Sequence, residues 1–378
     1  MIRIQDITVK AIRQSSRERP ADAVLREEFR QLRDAMPSDI AAVSQTVFNY
    51  FRWRGWLDLT KPLEEQVRKS RELAKTFVND PDSFSDASLI ERVAPDWLRE
   101  EMEITPGWAR AIQSEPKLWL RAQPGQGRAL CEKLGAAKLA RDLLPDAVHY
   151  KGEEDLFKRP EFHAGEFEIQ DIASQMVGWL CAPKPGETWW DTCAGEGGKT
   201  LHLSALMQNK GLIWASDRAE WRLKSLKRRA ARAKVFNFRS AAWDGGKKLP
   251  TKTKFDGVLV DAPCSGVGTW QRNPHARWTT MLQDVKELAE IQKHLLAHVV
   301  PSVKPGGKLI FSVCTLTRSE TLEVVESFNA SQPDFEPLIW DEVKLEARVV
   351  KNVSSLTIWP QDLGGNGMFI AGWRRKKT

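Results

Sequence analysis

Residues 188–199 read Thr-Trp-Trp-Asp-Thr-Cys-Ala-Gly-Glu-Gly-Gly-Lys, a short apolar strand that passes through a glycine-rich turn into a helix. Such a turn lets the backbone approach a ligand closely, and the helix start offers free N–H groups to a carboxylate or phosphate. From residue 186 onward, apolar strands alternate with amphipathic helices, which predicts an α/β domain with a mostly parallel sheet. The expected strands are 188–191, 212–216, 236–242, 255–261, 308–313 and 367–373, and the expected helices are 199–208, 220–234 and 282–303.

Acidic residues follow the second and third strands of this pattern. Asp217 is placed to hydrogen-bond both ribose hydroxyls of a nucleoside cofactor, and Asp244 to reach an adenine amino group. Glu196 brings negative charge into the glycine turn, which suits the sulfonium of S-adenosylmethionine better than the pyrophosphate of a dinucleotide. An ordinary strand–helix turn is the alternative, because the glycine pattern matches neither the dinucleotide fingerprint nor the P-loop.

Two cysteines follow strands that we expect to be neighbours in the sheet. Cys264 lies in Asp261-Ala-Pro-Cys-Ser-Gly-Val-Gly-Thr, directly after strand 255–261, and Cys314 follows strand 308–313. Either cysteine alone would be read as a small buried hydrophobe. Together with Asp261 they suit methyl transfer to a pyrimidine carbon, in which a thiolate adds to carbon 6, an acid stabilises charge near N3 and a second thiol assists release. The spacing leaves open which cysteine attacks.

These stretches resemble the Nop/Sun family of RNA cytosine-5 methyltransferases, in particular its bacterial ribosomal RNA enzymes of the RsmB type. The resemblance extends over about 93–373, and its motifs are the Asp261–Thr269 run, Arg272-Asn-Pro with Trp278, Ser312-Val-Cys-Thr-Leu, and segments 167–175, 191–199 and 367–371. It implies a Rossmann-like S-adenosylmethionine-dependent domain that forms 5-methylcytosine, with ribosomal RNA as the expected substrate. A transfer RNA or DNA methyltransferase, a non-catalytic ribosome assembly factor and a nicotinamide dehydrogenase are the rival functions.

The resemblance also assigns roles to single residues. It implies that Cys314 is the nucleophile, that Cys264 promotes product release and that Asp261 contacts both cytosine and cofactor. The implied cofactor residues are Cys193, Ala194, Gly195, Glu196, Gly197, Gly198, Lys199, Asp217, Arg218, Asp244 and Asp261.

Basic and aromatic residues follow the Pro-Cys loop, and the segment after the second cysteine departs from the family pattern. The candidates for RNA contact after the Pro-Cys loop are Arg272, His275, Arg277 and Trp278, although Trp278 is equally consistent with a cap on a hydrophobic patch. Where the family usually has Pro-Glu-Glu-Asn after the second cysteine, this chain has Thr317-Arg-Ser-Glu-Thr. Only Glu320 is retained, which leaves any helper role of that segment in doubt.

The chain divides by pattern into three expected domains. Residues 1–90 read as a helical module, which the resemblance suggests is a shortened NusB-like domain. Residues 91–185 read as a small mixed α+β domain of RRM-like character that contacts RNA, and residues 186–378 as the Rossmann-like catalytic domain.

Composition narrows the class of protein further. The 378 residues carry a formal net charge of +7, which favours a polyanionic partner such as RNA. Five widely spaced cysteines without a Cys-x-x-Cys pair predict reduced thiols and no metal site. No apolar run is long enough for a membrane span and no signal-peptide pattern is present, so we expect a cytoplasmic protein that does not contact membranes. We also expect it to be a monomer.

Overall fold

The computed structural model describes residues 4–31, 36–140, 143–346 and 348–377, and the chain forms two units. The helical unit comprises Met1–Pro116 and Thr269–Asp284, and the sheet unit comprises Lys117–Gly268 and Val285–Thr378. The sequence predicts three domains with boundaries near 90 and 185. The division into three domains stays a prediction. By its contacts the chain forms two units that part after residue 116, with the mixed α+β segment in the sheet unit and residues 269–284, after the Pro-Cys loop, in the helical unit.

The helical unit is built from amphipathic helices, as predicted. In α3, Val43, Val47 and Phe51 recur at helical spacing and lie together in a buried cluster with residues of the neighbouring helices. The helices are α1 (Ile4–Gln14), α2 (Ala21–Gln31), α3 (Pro37–Trp53), α4 (Leu63–Asn79), α5 (Asp86–Arg92) and α6 (Pro106–Gln113). The assignment to a NusB-like fold stays a prediction.

Arg277 lies at the centre of the helical unit with no exposed surface. Its guanidinium donates to the carbonyl oxygens of Arg52, Val93 and Ile112 at 3.2, 3.0 and 2.9 Å, and to Oε1 of Gln113 at 2.7 Å. Burial lowers the pKa of Arg277 well below its usual range. The planar fork of donors thus satisfies backbone oxygens from three separate stretches of the unit.

Replacing Arg277 with Met is expected to lower the free energy of unfolding by about 3 to 5 kcal/mol, because it strands several buried acceptors at once. Urea denaturation of the purified chain measures this. Arg92→Met is the matched control: Arg92 is exposed and, within the described residues, pairs only with Glu91, so its loss should change the free energy of unfolding by about 0.5 kcal/mol or less. Equal stability of the two variants would contradict the role given to Arg277.

The amino-terminal part of the sheet unit is a small antiparallel sheet. Its elements are β1 (Leu118–Ala122), α7 (Gly127–Leu134), β2 (Ala137–Leu139), β3 (Ala147–Tyr150), α8 (Pro160–His163) and β4 (Phe167–Ile169), with strand order β2-β3-β1-β4. This is the β-α-β-β-α-β order of a split βαβ fold. Trp119 and Ala147 pack in one buried cluster with Met176 and Ile310 of the larger sheet layer. That shared core explains why the segment does not separate as its own unit.

The remaining chain forms a twisted α/β layer around a larger sheet. Its elements are α9 (Ile172–Cys181), β5 (Thr188–Asp191), α10 (Gly198–Leu206), β6 (Leu212–Asp217), α11 (Glu220–Arg232), β7 (Phe238–Ala242), β8 (Phe255–Asp261), α12 (Leu282–Val299), β9 (Val303–Val313), α13 (Leu322–Ser331), β10 (Phe335–Pro337), β11 (Trp340–Lys344), β12 (Val349–Val353), β13 (Ser355–Ile358), α14 (Pro360–Leu363) and β14 (Met368–Arg375). The strand order is β10-β14-β9-β8-β5-β6-β7, with β13 also paired to β14. Strands β5 to β9 are parallel and β14 is antiparallel.

The six strands predicted from the sequence all form, and they make up this sheet apart from its β10 and β13 edges. The predicted helix 282–303 is too long: it ends at Val299, and Pro301 lies in the short turn that leads into β9. Among the described residues, strands β10 to β13 were not predicted. Strands β10 to β12 are mostly exposed and carry little apolar alternation, and β13, which does alternate, has only four residues.

Candidate active site

The order of strands reverses between β5 and β8. Strand β5 pairs with β6 on one side and with β8 on the other, while the chain visits β6 and β7 before returning to β8. In open α/β sheets the crevice at the carboxyl ends of two such strands is where ligands bind. Asp191 ends β5 and Asp261 ends β8, so the two sequence motifs of interest meet at this crevice.

The glycine turn after β5 takes a backbone shape that only glycine adopts readily. Gly195 has φ +54° and Gly197 has φ +90°. A Cβ at Gly195 would meet no atom within 4 Å, whereas one at Gly197 would lie 2.7 Å from the side chain of Leu226. The turn is therefore open at Gly195, and at Gly197 it packs closely against α11.

Asp217 fixes this turn from the end of the next strand. Its Oδ2 accepts from the backbone N–H of Gly195 at 3.0 Å and its Oδ1 from that of Ala219 at 2.8 Å, and the side chain is buried. Asp244 lies two residues beyond β7, is exposed and accepts from the N–H of Gly246. Arg218 and Glu196 are also exposed. The structure thus places the predicted cofactor residues at the carboxyl ends of consecutive strands.

Lys199 and Asp261 join the glycine turn to the Pro-Cys loop. Lys199 Nζ lies 2.7 Å from Asp261 Oδ2, and Ser312 Oγ donates to Asp261 Oδ1 at 2.7 Å. Burial alone would lower the pKa of Lys199, but the charge and hydrogen bond of Asp261 outweigh it and raise that pKa. Lys199 therefore stays a cation beside the site.

The two cysteine thiols are in contact. Strands β8 and β9 are parallel neighbours, as predicted, and Cys264 Sγ lies 3.3 Å from Cys314 Sγ. The hydrogen bond from Cys264 lowers the pKa of Cys314, and the positive charge of Lys199 acts in the same direction against burial and Asp261. The same hydrogen bond and burial raise the pKa of Cys264 well above its usual range. Cys314 is thus the thiol more easily ionised, and Cys264 is the one that keeps its proton.

Glu320 is a site residue whose part the sequence left in doubt. It lies in the turn before α13, has no exposed surface, and accepts hydrogen bonds from the loops that carry both cysteines. The sequence signal was the single glutamate shared with the family motif, but a lone glutamate does not reveal that it is buried.

The predicted RNA contacts after the Pro-Cys loop are corrected by the structure. Arg277 and His275 are buried in the helical unit, and His275 packs edge-on against Phe51 with ring centroids 4.6 Å apart. Trp278 is half-buried and donates to the carbonyl oxygen of Phe51. Arg272 is half-buried. Arg277 and His275 are buried in contacts within the helical unit, so neither side chain is available to RNA. Trp278 covers a hydrophobic cluster, which is the alternative role that the sequence left open for it.

The site suits a cofactor with a nucleoside and a charged amino acid end. The open face of Gly195 leaves room for close approach, and the α10 start presents backbone N–H groups. Oδ1 of Asp191, at the end of β5, is buried without a hydrogen-bond partner among the described residues. The loop residues with Asp217 and Asp244 would hold such a cofactor, and Asp261 would face it.

Known proteins resemble this chain in family, in sequence and in structure. The sequence model of a family described as 16S rRNA methyltransferase RsmB/F matches residues 178–374. A probable ribosomal RNA small subunit methyltransferase B of Bacillus subtilis is 39% identical over 298 residues, covering 75% of this chain and 66% of that protein. A probable counterpart in Synechocystis sp. is 32% identical over 363 residues, covering 90% of this chain and 80% of that protein.

A solved structure titled PH0851 superposes with a TM-score of 0.79 and covers 99% of both chains at 22% identity, which bears on the fold alone. The family match and the Rossmann-like sheet together show a methyltransferase that uses S-adenosylmethionine, and this confirms the predicted cofactor. The chain belongs to the RsmB/F family of methyltransferases, which confirms the resemblance drawn from its motifs.

Two further observations concern membranes and metals. Within the described ranges, no helix combines the length and apolar character needed to cross a bilayer. In the same part of the chain, no cluster of three or more His, Cys, Asp or Glu side chains could hold a metal ion.

Proposed function

We propose that this protein forms 5-methylcytosine in ribosomal RNA, with Cys314 as a covalent nucleophile and Cys264 as the residue that promotes release. The observation that carries the proposal is the contact of the two thiols, whose sulfur atoms lie 3.3 Å apart, beside the Lys199–Asp261 pair. Methyl transfer to an oxygen or nitrogen would need no such pair, whereas an unactivated pyrimidine carbon does.

The first half of the reaction activates the base. The Cys314 thiolate adds to carbon 6 of cytosine, forming the S–C6 bond and moving an electron pair from the C5–C6 double bond toward carbon 5 and N3. N3 takes up a proton from solvent, and the carboxylate of Asp261, held by Lys199 and Ser312 at the end of β8, can accept a hydrogen bond from that N3–H and so stabilise the adduct. S-adenosylmethionine supplies the electrophilic methyl group that carbon 5 takes up.

The second half releases the product. The proton on carbon 5 leaves to a base, the C5–C6 double bond re-forms and the S–C6 bond breaks, which returns its electron pair to sulfur as the Cys314 thiolate. Cys264 touches that sulfur and keeps its own proton, so it can stabilise the departing thiolate by donating a hydrogen bond. Cys314 thus acts first, as the nucleophile, and Cys264 acts second, on the same sulfur atom, when the product is released.

A basic cleft on the small sheet supports RNA as the substrate. The cleft has a volume of about 490 Å³ and is lined by Trp119, Lys117, Lys138, His149 and Lys151, alongside Glu346 and residues of the β11–β12 hairpin. Lys117, Lys138 and Lys151 have no ion-pair partner among the described residues. Burial and then these lysines lower the pKa of His149. Unpaired cations beside the half-buried ring of His149 suit the phosphate backbone of an RNA strand, and the relatives' names point to ribosomal RNA.

Bisulfite sequencing of 16S ribosomal RNA tests the proposed function. Unmodified transcripts incubated with the protein and S-adenosylmethionine should gain a cytosine that resists conversion, and the Cys314→Ala variant should leave every cytosine convertible. Transfer RNA treated in parallel should remain convertible. Protection of transfer RNA alone would support methylation of cytosine carbon 5 but exclude ribosomal RNA as the substrate. Transfer of methyl groups without any protected cytosine would exclude methylation at carbon 5.

A further inference from the structure

Glu320 is a buried carboxylate without a cation. Its side chain has no exposed surface, burial raises its pKa, and it makes no ion pair within the described part of the chain. A buried carboxylate without a counter-ion is costly unless neutral donors satisfy its oxygens. The neutral donors that satisfy Glu320 therefore identify the segments that its hydrogen bonds hold together.

The donors to Glu320 come from both sides of the thiol pair. Oε1 accepts from the backbone N–H of Ser265 at 2.9 Å and from Nε2 of Gln292 at 3.0 Å. Oε2 accepts from Thr317 Oγ1 at 2.8 Å, from Thr315 Oγ1 at 3.1 Å and from Ser265 Oγ. Ser265 follows Cys264 in the chain and Thr315 follows Cys314.

Gln292 extends the same connection to the other side of Cys264. Its Nε2 also donates to the carbonyl oxygen of Pro263 at 2.9 Å, and the side chain is fully buried in α12. The residues before and after Cys264 are therefore both tied, directly or through Gln292, to a carboxylate that belongs to the Cys314 loop. Cys314 itself directly follows β9, which holds it independently of Glu320.

We propose that Glu320 is a positioning residue that keeps the Cys264 loop against Cys314, so that Cys264 can assist release of the methylated product. The proposal rests on the proposed function and deepens it. Losing the carboxylate frees the Cys264 loop but leaves Cys314 on its strand, so addition to cytosine continues while release slows. The Glu320→Ala variant should then resemble a milder form of Cys264→Ala.

The test measures covalent RNA–protein adduct on denaturing gels, with ribosomal RNA fragments and S-adenosylmethionine. Glu320→Ala should raise the adduct fraction about tenfold over wild type and lower kcat by a similar factor, as expected for loss of hydrogen bonds to a charged group. The KM for S-adenosylmethionine should stay within about threefold, because the residues of the glycine turn are untouched. A general loss of structure would instead raise KM and abolish the adduct.

The Glu320→Gln variant distinguishes a role in positioning the Cys264 loop from a requirement for the negative charge of the carboxylate. The amide oxygen can accept from Ser265 N–H and Gln292, and the two N–H bonds of the amide nitrogen can be donated to two of the three hydroxyl groups, which are able to accept. This variant should therefore return adduct and kcat to within about threefold of wild type. If Glu320→Gln behaves as Glu320→Ala does, charge rather than position is required and the proposal is wrong.

Two further variants guard against misfolding. Asp362→Ala removes another buried carboxylate of the sheet unit, which accepts from Trp359 N–H and pairs with Arg348 away from the thiols. It should lower the melting temperature without producing adduct, and an equal adduct there would overturn the proposal. Gln292→Met keeps side-chain size and should raise the adduct above the wild-type level, though less than Glu320→Ala does. If Glu320→Ala does not fold, a wild-type adduct level in Gln292→Met overturns the proposal.

The outcomes for Glu320 and for the proposed function are distinguishable. Trapping by Cys264→Ala together with wild-type behaviour of Glu320→Ala and Gln292→Met rejects only the role of Glu320. Absence of adduct in Cys264→Ala as well rejects the covalent chemistry on which that role depends.

Discussion

Replacing Cys314 by Ala is expected to reduce methyl transfer to RNA by about three orders of magnitude or more, because no other thiol can form the bond to carbon 6. Transfer of radiolabelled methyl groups to 16S ribosomal RNA measures the loss. Cys131→Ala is the matched control: Cys131 is a half-buried cysteine of α7 and should leave the rate unchanged. Retention of more than about a tenth of the rate in Cys314→Ala would exclude Cys314 as the nucleophile.

The lowered pKa of Cys314 should be detectable in the pH dependence of its reaction with iodoacetamide. The thiolate is the reactive form, so alkylation accelerates as pH rises through the pKa, and the lowered pKa of Cys314 moves that rise to lower pH than for an ordinary cysteine. Mass spectrometry of the alkylated peptides assigns the rate to Cys314 or Cys264. Lys199→Gln should shift the midpoint for Cys314 upward, because it removes the positive charge that favours the thiolate.

Replacing Cys264 by Ala is expected to convert the enzyme into a covalent complex with its RNA. Addition at Cys314 and methyl transfer still occur, but the departing thiolate loses the neighbouring Cys264 thiol, whose sulfur lies 3.3 Å away and would donate a hydrogen bond to it, so the adduct accumulates. We expect most of the protein to migrate with RNA on a denaturing gel when RNA is in excess, and almost none in wild type. Turnover should fall accordingly.

The double variant supplies the control for this trap. Cys264→Ala combined with Cys314→Ala should give no adduct, since the attacking sulfur is gone. If the adduct appears in Cys314→Ala and is absent from Cys264→Ala, the two roles are reversed, as in an enzyme in which the Pro-Cys cysteine attacks. If neither single variant forms an adduct while methylation continues, no covalent step occurs.

Local patterns were sufficient to predict the core of the site. Strands β5 and β8 have the bounds expected from their apolar runs, and both end in aspartate. Parallel strands bring their carboxyl ends to one edge, so the glycine turn, Asp217 and the two cysteines could be expected there before the structure was known. The contact between the thiols follows from the pairing of β8 with β9.

Other features depend on distant partners and leave no local signal. The Lys199–Asp261 pair joins residues 62 positions apart, and the five donors of Glu320 come from three segments. Arg277 looked like a surface cation because an arginine near a binding loop in a basic protein usually is one. Its burial is decided by carbonyl oxygens of the helical unit, and these cannot be read from the sequence around Arg277 itself.

The embedded segment Thr269–Asp284 has a consequence for how the chain acquires its structure during synthesis. The carbonyl oxygens of Ile112 and Val93 receive their donor from a residue 165 and 184 positions later in the chain. Contacts of such long range form late, since a long loop must close first. The amino-terminal helices therefore leave the ribosome before the residue that completes their interior has been translated, and a fragment ending at residue 116 would lack it permanently.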